Sequence, residues 1–186
     1  MQSQDRLRVA LLVAVAIALH GFERTIPTPI PWLRFGFANI ITLTAVVFYG
    51  LRVALMITLI RVFVVSLFVG TFLGPGFILS LGGGLASTIA MGGVFYLLGG
   101  LFSPLGLSLI GAFAHNLAQL FLAYLLFVRK IDAILYLSPV ILVFGVLAGT
   151  VNGLASGMLI ISLREEGLRV GRKAMGKEHG AQGTGR

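Results

Sequence analysis

Arg61 lies near the middle of the apolar stretch Val53–Phe72. An arginine at the centre of a membrane helix costs about 2.5–3.5 kcal/mol on insertion scales, so such a residue is a functional candidate by default. The chain has six acids, Asp5, Glu23, Asp132, Glu165, Glu166 and Glu178, and none falls in the core of an apolar stretch. Arg61 is therefore expected to meet carbonyls, polar side chains, water or the anionic or carbonyl group of a ligand. Glu23 and Arg24 read as a surface pair at the mouth of the bundle.

A second polar group sits on the stretch Leu105–Val128. His115 and Gln119 are four residues apart and share a helix face. Ser108 and Ala112 extend that face backwards, and Asn116 stands beside it. Further polar residues fall in other apolar stretches: Asn39, Thr42 and Thr44; Ser80, Ser87 and Thr88; Asn152 and Ser156. From these, Asn39, Arg61, Ser87, His115, Asn116, Gln119 and Asn152 form the candidate substrate-binding set. The competing reading is hydrogen bonding between helices, each bond worth well under 2 kcal/mol.

Several chemistries have no residues to carry them. There is no Gly-x-x-x-x-Gly-Lys-Ser/Thr loop for a nucleotide and no Asp-rich magnesium-diphosphate motif. No His/Glu cluster has zinc spacing, and cysteine is absent. A proton-coupled pump would want an intramembrane carboxylate. No catalytic residue, metal site or resident cofactor is predicted, and the chain reads as a non-enzyme.

These residues need apolar elements to hold them, and composition supplies little else. Of 186 residues, 58% are hydrophobic and 11% charged. A soluble domain carries about 25% charged residues. The apolar stretches are continuous, whereas barrel strands alternate, so the class is an all-α integral membrane protein. A crossing needs about 20 residues, and the chain accommodates one bundle of six helices over residues 1–163. A basic tail follows at 164–186, expected to be a frayed helix and then disordered.

The expected spans are Val9–Phe22, Phe35–Gly50, Val53–Phe72, Ile78–Leu98, Leu105–Val128 and one beginning near Pro139. Ala133–Ser138 would be a short interfacial piece. Between the first two spans, Pro27, Pro29 and Pro31 forbid a regular helix. With Trp32, an interfacial anchor or a lid residue, they form a stiff, partly buried loop.

Charge sets the orientation. Arg6, Arg8, Arg52, Arg164, Arg169, Arg172, Lys173, Lys177 and Arg186 fall on one side, and Arg24, Arg34, Arg129 and Lys130 on the other. The positive-inside rule places both termini in the cytoplasm. It also accounts for the net charge of +8 without a nucleic-acid partner. Two stripes of small residues recur every four positions: Ala10, Ala14 and Ala18, and Gly145, Gly149, Gly153 and Gly157. Such stripes let helices approach closely. They serve bundle packing, or one of them faces outward to a partner helix.

Several segments together resemble a bacterial family, the Gx transporters, also called heptaprenyl diphosphate synthase component I. They are Gly36-Phe37-Ala38-Asn39-Ile40, Arg61, Gly70-Thr71-Phe72, Leu79-Ser80-Leu81-Gly82-Gly83-Gly84, Phe102-Ser103 and Gly111-Ala112-Phe113-Ala114-His115-Asn116-Leu117-Ala118-Gln119. The resemblance covers about residues 8–160. That family is similar to the substrate-binding S-components of energy-coupling factor vitamin transporters. It implies a six-helix transporter in the bacterial cytoplasmic membrane, with Thr25–Leu33 capping the substrate. It also implies a coupling membrane subunit, with ATPases, docked on Ala10, Ala14 and Ala18. Family members are associated with flavin supply, which points to a flavin (riboflavin, FMN or FAD) as transported ligand. The family's second name implies the alternative, a non-catalytic membrane subunit of a polyprenyl diphosphate synthase.

Overall fold

The computed structural model describes residues 3–27, 35–98, 101–129 and 131–182. Side chains are described as far as residue 166, apart from those of 3, 127, 128, 133 and 134. The lid residues Pro29, Pro31 and Trp32 lie outside the described residues. Pro27 is exposed, just past the first helix.

Among the described residues, five helices appear in chain order: α1 (Ser3–Thr25), α2 (Ala38–Phe68), α3 (Pro75–Leu98), α4 (Pro104–Ala123) and α5 (Ile131–Gln182). Their starts follow from local chemistry. Pro75 and Pro104 open α3 and α4, where a missing N–H is harmless. Ser103 caps α4, its Oγ accepting from the Gly106 amide at 3.3 Å. A wide π-type turn, Tyr124–Val128, ends α4, and Arg129 closes it with φ of 42°.

α2 folds back on itself. Gly50 has φ 81° and ψ 175°, a backbone region open essentially to glycine alone. Asn39 and Arg61 would stand about 33 Å apart on a straight helix. Instead they are hydrogen bonded at 2.9 Å. The limbs 38–49 and 51–68 thus lie side by side, with the break where the sequence places the turn between its second and third spans.

α1 is longer than expected. Its 23 residues reach about 34 Å at 1.5 Å each, so the chain before Val9 and after Phe22 completes the helix. At the other end, Ala133–Ser138 is no separate piece. α5 runs continuously through Pro139 and on to Gln182. A proline inside a helix orphans the carbonyl four residues back. Ser138 Oγ donates to that carbonyl, Leu135 O, at 2.9 Å. This bond lets the helix pass the proline unbroken.

Each helix packs on the next, and α5 returns to α2. Ala16 of α1 meets Ile41, Ala45, Ala54 and Ile57 from both limbs of α2. Leu43, Met91 and Leu107 join α2, α3 and α4. Outside this core, Leu11, Phe22, Met56, Phe113, Val143 and Leu154 are exposed. A soluble monomer rarely exposes so large an apolar area. Among the described residues, four helical segments are long and apolar enough to cross a membrane: Ala38–Phe68, Pro75–Leu98, Pro104–Leu126 and Leu135–Glu166.

The two small-residue stripes part company here. Gly145, Gly149 and Gly153 are buried against α4, beside Asn116, Ala112 and Ser108. Ala10, Ala14 and Ala18 are exposed on α1.

Candidate functional site

The last two turns of α1 point chemistry into the bundle. His20 and Glu23 are three residues apart, on one helix face, and both are buried, Glu23 with 3% of its surface exposed. Glu23 Oε1 accepts a hydrogen bond from the Gly36 amide at 2.5 Å. The neighbouring Arg24 donates through Nη2 to Ser80 Oγ on α3 at 2.8 Å. The surface pair expected at Glu23 and Arg24 is therefore not found; both side chains reach inward.

Glu23 also answers Arg61. It lies close enough to the guanidinium for coulombic attraction, although no acid was expected near it. Glu23 stands at the end of its helix in sequence, but the second limb of α2 brings Arg61 to that same level. Arg61 is 4% exposed. Its Nη2 donates to Asn39 Oδ1 at 2.9 Å, while Nε has no hydrogen-bond partner. A buried donor left unmatched is costly and marks where a ligand acceptor or water would gain most.

A small cavity, about 20 Å³, is lined by His20, Glu23, Asn39, Arg61, Ser80 and His115, with Gly36, Val62 and Gln119 completing its wall. Its free space is narrow, about right for one or two waters. Four of the seven expected binding residues therefore share one site: Asn39, Arg61, His115 and Gln119. His115 lies on Gly83, where a methyl group would meet its ring at 2.8–2.9 Å. The ring makes its polar contact with the Gly83 backbone, short of good hydrogen-bond geometry. Residue 83 must be glycine for α4 to set this ring beside Arg61.

The other three expected residues stand elsewhere. Asn116 Nδ2 donates to Ile141 O of α5 at 3.1 Å, tying α4 to α5 beyond Pro139. Ser87 is fully buried outside the cavity lining. Asn152 Nδ2 donates to Phe35 O at 2.7 Å and Gly36 O at 3.1 Å. Asn152 thus holds from one side the peptide that Glu23 holds from the other, and supports the site from behind. The polar face of α4 splits in the same way, because Ser108 donates to Gly149 O at 2.8 Å. Among the described residues, no three His, Asp or Glu side chains gather as a metal set.

Sequence reasoning missed His20, Glu23 and Ser80 as lining residues. Their signal was the three-residue spacing of two polar groups at the end of an apolar helix. It was masked by their place next to the proline-rich loop.

This arrangement of apolar helices has a solved counterpart. The S component of a bacterial ECF transporter matches with a TM-score of 0.58 and 16% identity, covering 91% of this chain and 98% of that one. The molecule is thus a multi-pass membrane protein with the S-component fold. Residues 12–159 match the family model described as heptaprenyl diphosphate synthase component I, and the chain belongs to that family. No curated protein matches it.

Proposed function

We propose that this protein is the substrate-binding subunit of a transporter in the bacterial cytoplasmic membrane. It would cross the bilayer six times with both termini in the cytoplasm, the two limbs of α2 each counting as a crossing. The observation that carries the reading is the buried cluster Glu23–Arg61–Asn39, with His115, inside an otherwise apolar bundle. Burying so many polar groups is costly unless each finds a partner, and Arg61 Nε still lacks one among the described residues.

The ligand is a small vitamin-type molecule, and a flavin is the first to test. Arg61 would hold a carbonyl oxygen; Glu23 beside it already balances its charge, which favours a carbonyl over an anionic group. His115, Gln119 and Asn39 would hydrogen bond the edge of a heteroaromatic ring or a polyol. The cavity is narrower than such a ring, so binding requires the end of α1 to move outward. Asn116, Ser87 and Asn152 act on this site by packing and support.

No enzymatic role is assigned, and the flavin is cargo rather than a resident cofactor. A coupling membrane subunit with ATPases would dock on Ala10, Ala14 and Ala18, whose exposure on α1 suits that role. The second reading, a non-catalytic membrane subunit of a polyprenyl diphosphate synthase, rests on the family's description. Purified protein titrated with riboflavin and FMN separates the two. Saturable binding weakened by Arg61→Ala supports the transporter. Absence of flavin binding, with co-purification of a soluble Asp-rich synthase, supports the other.

A further inference from the structure

A larger cavity, about 340 Å³, opens at the end of the bundle occupied by the start of α1 and the Gly50 break. Its walls are apolar, formed by Leu11 and Leu12 of α1, Phe48 beside the break, and Leu163 of α5. Two charges of opposite sign line it: Arg8, just before the apolar stretch of α1, and Glu166, the last residue of the span Leu135–Glu166. Both side chains are exposed. Their places in the chain put both at the membrane–water boundary, with the apolar walls running inward from them.

We infer that this groove binds a zwitterionic phospholipid with a primary ammonium headgroup, of the phosphatidylethanolamine type. Arg8 would take the phosphate, as an arginine matches phosphate oxygens with a fork of donors. Glu166 would take the ammonium, and an acyl chain would fill the wall of Leu11, Leu12, Phe48 and Leu163. The pairing of one cation with one anion is what selects the headgroup. A phosphatidylglycerol headgroup offers Glu166 no cation, and a phosphatidylcholine headgroup offers it no N–H.

The test uses the full chain, purified in detergent and incubated with equimolar phosphatidylethanolamine, phosphatidylcholine and phosphatidylglycerol of identical acyl chains. Native mass spectrometry reads which lipid stays bound. The ethanolamine lipid should be retained about two- to fivefold over each of the others, the range expected of one exposed ion pair. Glu166→Gln should erase that preference, Arg8→Gln should lower retention of all three, and Leu163→Trp should reduce bound lipid without changing headgroup order. Equal retention of the three, preference for phosphatidylglycerol, or a preference that survives Glu166→Gln would overturn the proposal. So would lipid-independent protection of the groove that arises only when a membrane partner protein is added.

Discussion

Arg61 is both a charge to be satisfied and a ligand for whatever enters the cavity. Its Nη2 bond to Asn39 and its proximity to Glu23 already make it part of a network. Arg61→Ala should therefore weaken ligand binding by at least tenfold and also lower thermal stability, since Asn39 Oδ1 loses its buried donor. Arg61→Lys keeps the charge but loses the forked donors. It should recover stability more than affinity, as read by a melting curve alongside a titration. Glu23→Gln should shift preference toward phosphorylated or carboxylated ligands, measured as the affinity ratio of FMN to riboflavin. An unchanged ratio would remove Glu23 from the recognition scheme. Arg61, His115, Asn39 and Gln119 were legible because polar groups stand out in apolar runs. Glu23 was not, because its burial depends on how far α1 continues and on where α2 turns.

At the scale of elements, the decisive feature is the fold-back of α2. Gly50→Ala forces a side chain into a backbone region that costs of order 1–3 kcal/mol, and it should lower the unfolding free energy by that amount. Nothing lies within 4 Å of an added methyl there, so the loss would report backbone strain alone. Asn152→Ala strips the carbonyls of Phe35 and Gly36 of their donor. It should cost about 1–3 kcal/mol and loosen the Glu23–Gly36 contact across the site, measured by faster amide exchange at Gly36. The break at residue 50 was readable from Tyr49-Gly50 next to Arg52, between two apolar runs. The continuity of α5 through Pro139 was not. It turns on one Ser138 hydroxyl meeting one orphaned carbonyl, a match that spacing alone does not reveal.

For the whole molecule, charge scarcity gave the class, and the four helical segments long and apolar enough to cross a membrane agree with it. Which small-residue stripe packs inward could not be read from periodicity, since both repeat every four residues. Packing decides it: the α5 stripe is consumed by α4, and the α1 stripe stays exposed. If α1 is the docking face, Ala14→Trp should abolish association with a coupling subunit in pull-downs and leave ligand affinity unchanged within about twofold.

The central claim is that the buried Glu23–Arg61–Asn39 cluster binds a small polar ligand within a transporter subunit. Native mass spectrometry of the purified full chain with riboflavin, run beside Arg61→Ala, tests it most directly. The expected result is a one-to-one flavin adduct, a yellow preparation, and loss of the adduct in a variant that remains folded. A wild-type protein that stays free of flavin at saturating concentration, or an adduct that Arg61→Ala leaves intact, would contradict it.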